Sequence, residues 1–431
     1  MSPDLVERIN LRAVKVVVVG QGYVGLPLAI RASEVGFDVV GFDSDRAKVD
    51  ALRAGRSYVG DISDDRLKHA VANGFVPSDD PRDLVDFDVA VISVPTPLAE
   101  GRPDLSFIKA AGETIAPFLR RNACVILEST TYPGTTEEFL APLLGAGSGL
   151  AREEFFLGYS PERVDPGNTR FPFEETPKVV SGDRAESLRV IQTFFGSLVR
   201  EVVPVESCAQ AEMTKLLENT FRHVNVALVN ELARYASELE IDIWAVIDAA
   251  ATKPFGFMRF EPGPGVGGHC LPIDPSYLAW KVRENLGYSF RFVELANDVN
   301  DHMPEYVVGR LTRMLNDESK AVRGARILLL GLAYKAGTGD WRESPSAKVA
   351  NQLSELGALV SICDPHVEPE RAGQFADVLV PFQSEVLEGS DLVVLLVGHS
   401  EFDPALIASV SPLVFDSRNI LRGLEFRGEH L

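Results

Sequence analysis

The sequence predicts an α/β protein with two doubly wound parallel-sheet domains joined by a long central helical region. Short runs of consecutive apolar residues, typical of strands buried on both faces, occur early in the chain and again near its end. Between them, residues 205–253 contain neither glycine nor proline, and apolar residues recur at helical spacing. A chain of 431 residues also exceeds the size at which one hydrophobic core stops growing.

The first domain, which we place at residues 1–205, begins with an apolar run at 14–19 that predicts a parallel strand. A glycine-rich turn follows, then a helix over 24–35 and a second strand over 38–43. Two more apolar runs predict further buried strands of the same sheet, at 89–94 and 124–128.

The middle domain, placed at residues 206–318, is predicted to be helical. Ser207 followed by Gln210 resembles a capping box that opens a long helix. Asp242 stands where it can cap the next helix after a short break.

The third domain, placed at residues 319–431, repeats the α/β pattern without a complete glycine fingerprint. The predicted elements are strands at 327–331, 360–364 and 392–397 and a helix over 346–356.

Composition and charge narrow the classes of function. The net charge of −20 argues against nucleic acid or an anionic membrane as the main partner. No apolar run approaches the length of about 18 residues that a membrane helix needs, and the amino terminus lacks an apolar signal core. The four cysteines lie far apart without zinc-ligand spacing, so we expect no metal site and a cytoplasmic protein with reduced thiols.

The glycine-rich turn carries a dinucleotide fingerprint that makes this domain Rossmann-like. Gly20 permits the tight bend, Gly22 lets the backbone approach a pyrophosphate, and Gly25 allows the helix to pack closely on the strand. Asp43 ends the second strand, where its carboxylate can accept hydrogen bonds from a ribose 2′-hydroxyl and would repel a 2′-phosphate. The pattern therefore favours NAD over NADP. The alternative is an ordinary glycine turn with a solvated aspartate.

Two loops follow predicted strands of the same sheet, at 94–97 and at Ser129–Thr130. Ligands of doubly wound sheets bind beyond the carboxyl ends of the strands, so both loops should face the cofactor. Proline and threonine also simply end strands, and position alone does not decide between these interpretations.

Cys270 follows a glycine- and proline-rich segment and stands four residues before Asp274. This loop is too irregular for core filling, and loops held by rigid scaffolds often carry function. We therefore interpret Cys270 as a nucleophile, although most free cysteines are small buried hydrophobes. The remaining three are interpreted in that second way: Cys124, Cys208 and Cys363.

Lys215, Asn219 and Arg222 form one polar stripe on the long predicted helix. A solvated helix face is the simpler interpretation. The functional alternative is that the lysine and the asparagine, one turn apart, donate hydrogen bonds to a developing oxyanion.

These motifs, in this order, resemble the nucleotide-sugar 6-dehydrogenases, the family typified by UDP-glucose dehydrogenase. The resemblance spans nearly the whole chain and is carried by 20–25, 94–97, 129–130, 160–162, Lys215 with Asn219, 267–274, 331–335 and 342–345. Two stretches, 160–168 and 253–265, look like the branch that acts on UDP-N-acetylglucosamine.

The resemblance implies a four-electron oxidation at C6 of a nucleoside-diphosphate sugar. NAD would take the first hydride from the alcohol, and Cys270 would capture the resulting aldehyde as a thiohemiacetal. A second hydride transfer would give a thioester, which water would hydrolyse to the uronic acid. The sugar nucleotide would be UDP-N-acetylglucosamine, UDP-glucose or TDP-glucose.

Roles for other residues also follow from the resemblance. Lys215 and Asn219 would stabilise charge on the oxygen at C6. Thr130 and Asp274 would position water, and Glu162 would assist thioester hydrolysis. The cofactor-binding residues implied are Gly20, Gly22, Tyr23, Val24, Gly25, Asp43, Pro95, Thr96, Thr130 and Arg342. The substrate-binding residues implied are Glu162, Lys215, Asn219, Arg222, Arg259, Gly267 and Lys335.

Family members associate through the helical middle, so the resemblance implies at least a homodimer. Two alternatives stay open. A single-step hydroxyacid or sugar-acid dehydrogenase would use a lysine base, need no thiol and release one NADH per substrate instead of two. A non-catalytic NAD-sensing protein would have no use for the cysteine loop or the third domain.

Overall fold

The structure, a computed structural model, describes residues 4–99, 101–164, 171–268 and 271–431. The chain forms two compact units, one extending to Glu218 and the other running from Asn219 to Leu431. The helix that contains this boundary belongs to both.

The first unit contains ten strands among its described residues. They are β1 (Lys15–Val19), β2 (Asp38–Phe42), β3 (Phe75–Ser78), β4 (Val89–Ile92), β5 (Leu98–Ala99), β6 (Arg102–Pro103), β7 (Cys124–Leu127), β8 (Phe156–Tyr159), β9 (Lys178–Val180) and β10 (Val202–Pro204).

Six of these strands form one parallel sheet in the order β3-β2-β1-β4-β7-β8. This is the strand order of doubly wound dinucleotide-binding domains, with the order reversing beside β1. Strand β1 pairs Val17 with Val40 on one side and with Ala90 on the other. Every residue of β4 and β7 is buried, which explains why the central strands appear in the sequence as unbroken apolar runs.

Helices cover both faces of this sheet. They are α1 (Leu5–Asn10), α2 (Gly25–Glu34), α3 (Arg46–Arg53), α4 (Asp64–Ala72), α5 (Ser106–Ile115), α6 (Ala141–Ser148) and α7 (Ala185–Gly196). A π-helical segment, Thr135–Leu140, leads directly into α6. Asp4, Asp45 and Ser63 cap α1, α3 and α4 by accepting backbone hydrogen bonds from the first turn.

The long predicted helix is α8 (Cys208–Glu238), 31 residues in length. Ser207 caps it as expected, because its hydroxyl accepts the N–H of Gln210 at 3.2 Å. The Gln210 side chain accepts from Glu206 N–H, one residue before the expected partner. Asp242 likewise caps the next helix, α9 (Ile243–Ala251), by accepting from Trp244 and Ala245.

The second unit continues with α10 (Asp274–Leu286), α11 (Arg291–Asp301), α12 (Met303–Asp317), β11 (Arg326–Leu330), α13 (Pro345–Glu355), β12 (Leu359–Cys363), α14 (Ser384–Glu388), β13 (Leu392–Leu395), α15 (Pro404–Val410), β14 (Val414–Asp416) and β15 (Gly428–His430). Its strands form a five-stranded parallel sheet in the order β12-β11-β13-β14-β15. This is the other common doubly wound order. The predicted fold class is therefore confirmed.

Among the described residues, none of the helices combines the length and hydropathy that crossing a bilayer requires.

Candidate functional site

The glycine turn after β1 adopts the geometry that its fingerprint predicts. Gly20 has φ +94°, and a Cβ there would lie 2.1 Å from the carbonyl oxygen of Ser93. A Cβ at Gly25 would lie 1.9 Å from Gly20 O, so only glycine lets α2 pack this closely. A Cβ at Gly22 would meet no atom within 4 Å, which leaves that side open to a ligand. No side chain caps the first turn of α2, so its N–H groups can receive an anion.

Asp43 directly follows β2, and its carboxylate is fixed beside this turn. One oxygen accepts the N–H of Gln21 at 2.9 Å, and the other accepts the N–H of Asp45 at 2.9 Å. Lys48 lies 3.5 Å away. The acidic residue and the glycine turn are thus brought together as the sequence predicts, while binding of a ribose at Asp43 stays a prediction.

The two proline- and threonine-containing loops are joined at the carboxyl end of the sheet. The hydroxyl of Ser129, after β7, accepts the N–H of Val94, after β4, at 2.9 Å. This bond draws Thr130 toward the segment that contains Pro95 and Thr96, on adjacent strands. Thr130 and Thr96 are half-buried, whereas Pro95 and Tyr23 are exposed. Within the glycine turn, Gly20 and Gly22 are half-buried.

Glu212 of α8 anchors the same loop, a function that no sequence motif indicated. Its buried carboxylate accepts Gly134 N–H at 2.6 Å, Thr136 N–H at 2.9 Å and the Thr136 hydroxyl at 2.6 Å. Burial raises the pKa of Glu212 to about 7, although the bonds from Thr136 act in the opposite direction. Glu212 thereby fixes the turn that follows Thr130 against the helix that carries Lys215.

Lys215 is buried on α8 with only 9% of its surface exposed. Its ammonium makes no hydrogen bond or ion pair to any residue that the structure describes. Its charge contributes to lowering the pKa of Glu162, after the larger effects of burial and Lys178. A solvated helix face is therefore excluded for this lysine, whereas Arg222 is exposed.

Glu162 follows β8 and is held by three donors. One oxygen accepts the N–H groups of Arg163 and Val164 at 2.7 and 2.5 Å. The other accepts Lys178 Nζ at 2.9 Å, and the same ammonium bonds Glu128 Oε1 at 2.5 Å. Burial acts to raise the pKa of Glu162, but the charge and hydrogen bonds of Lys178 outweigh it and lower that pKa.

In the second unit, the structure brings Asn219 and Asp274 together. The Asn219 amide donates to Asp274 Oδ2 at 2.5 Å, and both side chains are buried. Asp274 is the first residue of α10. The pair links α8 to the segment that follows Cys270 in the chain. Cys270 itself, with His269, lies outside the described residues, so its role as nucleophile stays a prediction.

The glycines before Cys270 allow a close approach to the third region of the chain. A Cβ at Gly267 would lie 2.7 Å from Glu343 O and 2.7 Å from Pro345 Cδ, and one at Gly268 would lie 2.7 Å from the Tyr334 ring. Gly268 also has φ +83°. The loop thus packs against the two motifs, around 334 and 343–345, that the family resemblance singles out.

Asp364 fixes the segment that contains Lys335. Its Oδ2 accepts the N–H groups of Leu332 and Ala333 at 2.8 and 2.9 Å. Burial acts to raise the pKa of Asp364, but hydrogen bonds from His399 and the backbone lower it. Lys335 itself is half-buried.

The arginines expected to contact substrate or cofactor are held by nearby carboxylates. Arg342 is exposed and bonds Asp340 at 2.8 Å. Arg259 bonds Asp248 at 2.6 Å and Glu261 at 2.9 Å on the surface. Arg418 was not predicted from any motif, yet its Nη1 would lie 2.5 Å from a Cβ at Gly263, in the segment that leads to the cysteine.

The other three cysteines are buried. Burial raises the pKa of Cys208 and of Cys363 to about 12 and that of Cys124 still higher. A thiol that stays protonated is a poor nucleophile, so their interpretation as buried hydrophobes is confirmed.

Three domain models of one protein family match successive parts of this chain. Residues 14–199 match the NAD binding domain of the UDP-glucose/GDP-mannose dehydrogenase family, residues 209–302 its central domain and residues 328–423 its UDP binding domain.

Individual relatives cover almost the full length. A UDP-N-acetyl-D-glucosamine 6-dehydrogenase of Pseudomonas aeruginosa is 38% identical over 91% of this chain and 92% of its own. A UDP-N-acetyl-D-mannosamine dehydrogenase of Pyrococcus horikoshii is 34% identical over 96% of this chain and 98% of its own. The solved structure of a UDP-D-ManNAc dehydrogenase from Pyrococcus horikoshii superposes with a TM-score of 0.86 at 33% identity, covering 96% of this chain and 98% of that one.

Replacement of Glu212 should change how stability depends on pH. Between about pH 4.5 and 7 the folded protein keeps a proton on Glu212 that the unfolded chain has lost, so the free energy of unfolding falls as pH rises. Glu212→Gln cannot lose that proton. In the unaltered protein the free energy of unfolding decreases between about pH 5 and 8. We expect Glu212→Gln to make this decrease smaller by on the order of 2 kcal/mol, as measured by urea denaturation at each pH.

The matched control is Glu113→Gln on the exposed face of α5, which should leave the fall unchanged. Glu212→Gln should still show some decrease in the free energy of unfolding with pH, because burial also raises the pKa of Glu128, to about 8. Equal pH profiles for Glu212→Gln and the unaltered protein would contradict the assignment.

Proposed function

The chain belongs to the UDP-glucose/GDP-mannose dehydrogenase family, and on this premise we propose that it oxidises C6 of UDP-N-acetylglucosamine to a uronic acid in two steps on Cys270. Family membership makes the protein an NAD-dependent nucleotide-sugar dehydrogenase, an oxidoreductase. The choice of sugar rests on the relative of 38% identity and on the 160–168 and 253–265 stretches.

The observation that carries the proposal is the buried hydrogen bond between Asn219 and Asp274. Burying two polar side chains costs free energy, and the hydrogen bond between them offsets much of that cost and fixes their mutual position. Here it joins the helix of Lys215 to the residues just after Cys270. That arrangement supports a reaction centre built from the glycine-rich loop and α8.

NAD, when bound at the glycine turn, supplies the acceptor for each hydride. The Lys215 ammonium would stabilise negative charge on the oxygen at C6 during both transfers, with Asn219 as a second donor. In the first transfer, the proton of the C6 hydroxyl would pass to water held by Asp274 and Thr130 as the hydride leaves. The Cys270 thiolate would then add to the C6 aldehyde, forming a C–S bond while the carbonyl π electrons become the alkoxide of a thiohemiacetal. Loss of the second hydride from that carbon leaves a thioester.

Hydrolysis completes the cycle. Water adds to the thioester carbonyl, the C–S bond breaks, and the electron pair returns to the sulfur of Cys270. Glu162 would accept the proton of the attacking water, since its carboxylate is ionised and fixed. The product leaves as a carboxylate, and no free aldehyde is released.

Basic groups would hold the nucleotide diphosphate despite the acidic surface. Lys335 lies on the segment that Asp364 fixes and directly follows Tyr334, whose side chain packs against Gly267 and Gly268 of the loop that leads to Cys270. Arg342 and Arg222 are exposed and accessible to anionic groups. Arg259 could reach substrate only by leaving its ion pairs with Asp248 and Glu261.

A panel of nucleotide sugars, assayed by NADH absorbance, tests the substrate. UDP-N-acetylglucosamine should give a kcat/KM at least about tenfold above those of UDP-N-acetylmannosamine, UDP-glucose and TDP-glucose. A preference for the mannosamine epimer or for a glucose nucleotide would contradict the assigned sugar but leave the reaction type intact.

Removal of the thiol tests the covalent route. Cys270→Ser should still bind NAD and UDP-sugar, while uronic acid production falls by about 1,000-fold or more because the serine hydroxyl cannot form the thioester. Calorimetry measures binding, and mass spectrometry measures product.

Cys363→Ala is the matched control, because this buried thiol of β12 lies in the sheet core and should be dispensable for turnover. Uronic acid formation by Cys270→Ser at a rate near that of the unaltered enzyme would rule out covalent capture.

We also propose that the enzyme is a cytoplasmic homodimer with the three domains 1–205, 206–318 and 319–431. Within the second unit, exposed apolar side chains line one face of α8 at helical spacing: Phe221, Leu228, Leu232 and Tyr235. Phe292 and Leu295 of α11 are also exposed. An exposed apolar stripe of this kind is typical of a protein interface.

The dimer is tested by Leu228→Glu combined with Leu232→Glu, which would bury charges in the interface. Sedimentation should show the mass of one chain instead of two. Leu359→Glu, on an equally exposed leucine at the start of β12, should leave the mass unchanged. A dimer that persists in the double variant would exclude this face.

A further inference from the structure

Behind Glu162 lies a buried charge cluster that consists of Glu128, Glu162 and Lys178. Glu128 follows β7, Glu162 follows β8, and Lys178 begins β9. The Lys178 ammonium stands between the two carboxyl groups, 2.5 Å from Glu128 Oε1 and 2.9 Å from Glu162 Oε2. At most 7% of any of the three residues is exposed.

Among the described residues, Lys178 is the cation that forms an ion pair with the Glu162 carboxylate. The rings of Phe173 and Phe195 lie 5.5 and 5.3 Å from Lys178 Nζ. Glu128 Oε2 is buried and has no hydrogen-bond partner within the described parts of the chain. Lys178 is therefore the cation that compensates the buried charge of Glu162 on this side.

We propose that Lys178 is a positioning residue for thioester hydrolysis, holding the Glu162 carboxylate ionised and fixed in direction, with Glu128 as its second partner. The inference rests on the proposed function of Glu162. It adds Lys178 and Glu128, which lie far apart in the chain, as the residues that determine the ionisation and orientation of the hydrolytic base Glu162.

Electrostatics supports the geometry. Two ionised carboxylates with one ammonium would leave a net negative charge in an apolar site, which is costly. Burial raises the pKa of Glu128 to about 8, while the Lys178 charge opposes the rise and the Glu162 charge adds to it. The pKa of Glu162 is lowered. Near neutral pH the cluster thus keeps its proton on Glu128 and leaves Glu162 free to accept one from water.

Replacing Lys178 should affect one step of the reaction, the hydrolysis of the thioester. In the proposed sequence both hydride transfers precede hydrolysis, and Glu162 accepts a proton only in the hydrolytic step. Loss of Lys178 should therefore not change the rapid formation of two NADH per active site. Only the hydrolysis of the thioester should become slower. A merely structural role would slow every step together.

The test is rapid-mixing measurement of NADH with Lys178→Met, using UDP-N-acetylglucosamine or the best sugar of the panel. We expect a burst of two NADH per site at a rate within about threefold of the unaltered enzyme. Steady turnover should fall about 100-fold, the usual contribution of an acid–base group. Mass spectrometry of the stalled enzyme should find the sugar acyl group on Cys270.

Lys178→Met leaves two buried acids, which can destabilise the fold. The double variant Lys178→Met with Glu128→Leu removes the ammonium and its buried carboxyl partner together and replaces both with apolar groups, a change that buried polar pairs often tolerate. It should show the same burst and the same slow hydrolysis. Arg152→Met, which breaks a separate ion pair with Asp183, controls for general loss of stability and should leave the ratio of burst rate to turnover unchanged.

The results of these measurements distinguish the proposed role of Lys178 from its alternatives. A full burst followed by slow turnover, in both Lys178 variants, supports the inference. A burst slowed in proportion to turnover, or a double variant that hydrolyses the thioester at the unaltered rate, overturns it. Release of one NADH per substrate by the unaltered enzyme contradicts the proposed function itself, whatever the variants do.

Discussion

Buried charge at the carboxyl end of the six-stranded sheet is the constraint on which the first unit's site depends. Titratable groups withdrawn from water must find partners, and here a partner comes from a distant part of the chain in each case. Glu212 on α8 binds the turn after β7 through Gly134 and Thr136. Lys178 on β9 binds the loop after β8 through Glu162. These bonds, more than the loops' own sequences, fix where Thr130 and Glu162 lie.

The same constraint explains why the site is assembled from rigid elements. Parallel strands end at one edge, so the segments after β4, β7 and β8 meet there. Ser129 ties the first two together through Val94, and Arg163 ties the third to α8 through Glu218 at 2.7 Å. In the second unit, Asn219 makes a comparable link to Asp274. A helix that carries both Lys215 and Asn219 can thus position donors with little freedom to move.

Fold and cofactor turn were predictable because their signals are local. Strands buried on both faces appear as apolar runs, and Gly20, Gly25 and Asp43 act within one βαβ unit. The strand predicted at 124–128 ends at Leu127, since the next residue, Glu128, belongs to the charge cluster. Glu128, Lys178 and Glu212 could not be assigned from sequence, because a single carboxylate or ammonium in an ordinary segment carries no local sign of a partner many residues away. The roles of Glu162 and Asp274 came only from family resemblance.

Covalent oxidation through a thioester is the central claim, and the number of NADH formed per sugar nucleotide consumed tests it most directly. With the sugar nucleotide limiting and NAD in excess, NADH absorbance and chromatography of the remaining substrate give the ratio in one experiment. The account predicts two NADH for each molecule converted, with a uronic acid as the only product. One NADH per molecule, with an aldehyde or ketone accumulating, would contradict it and favour a single-step dehydrogenase.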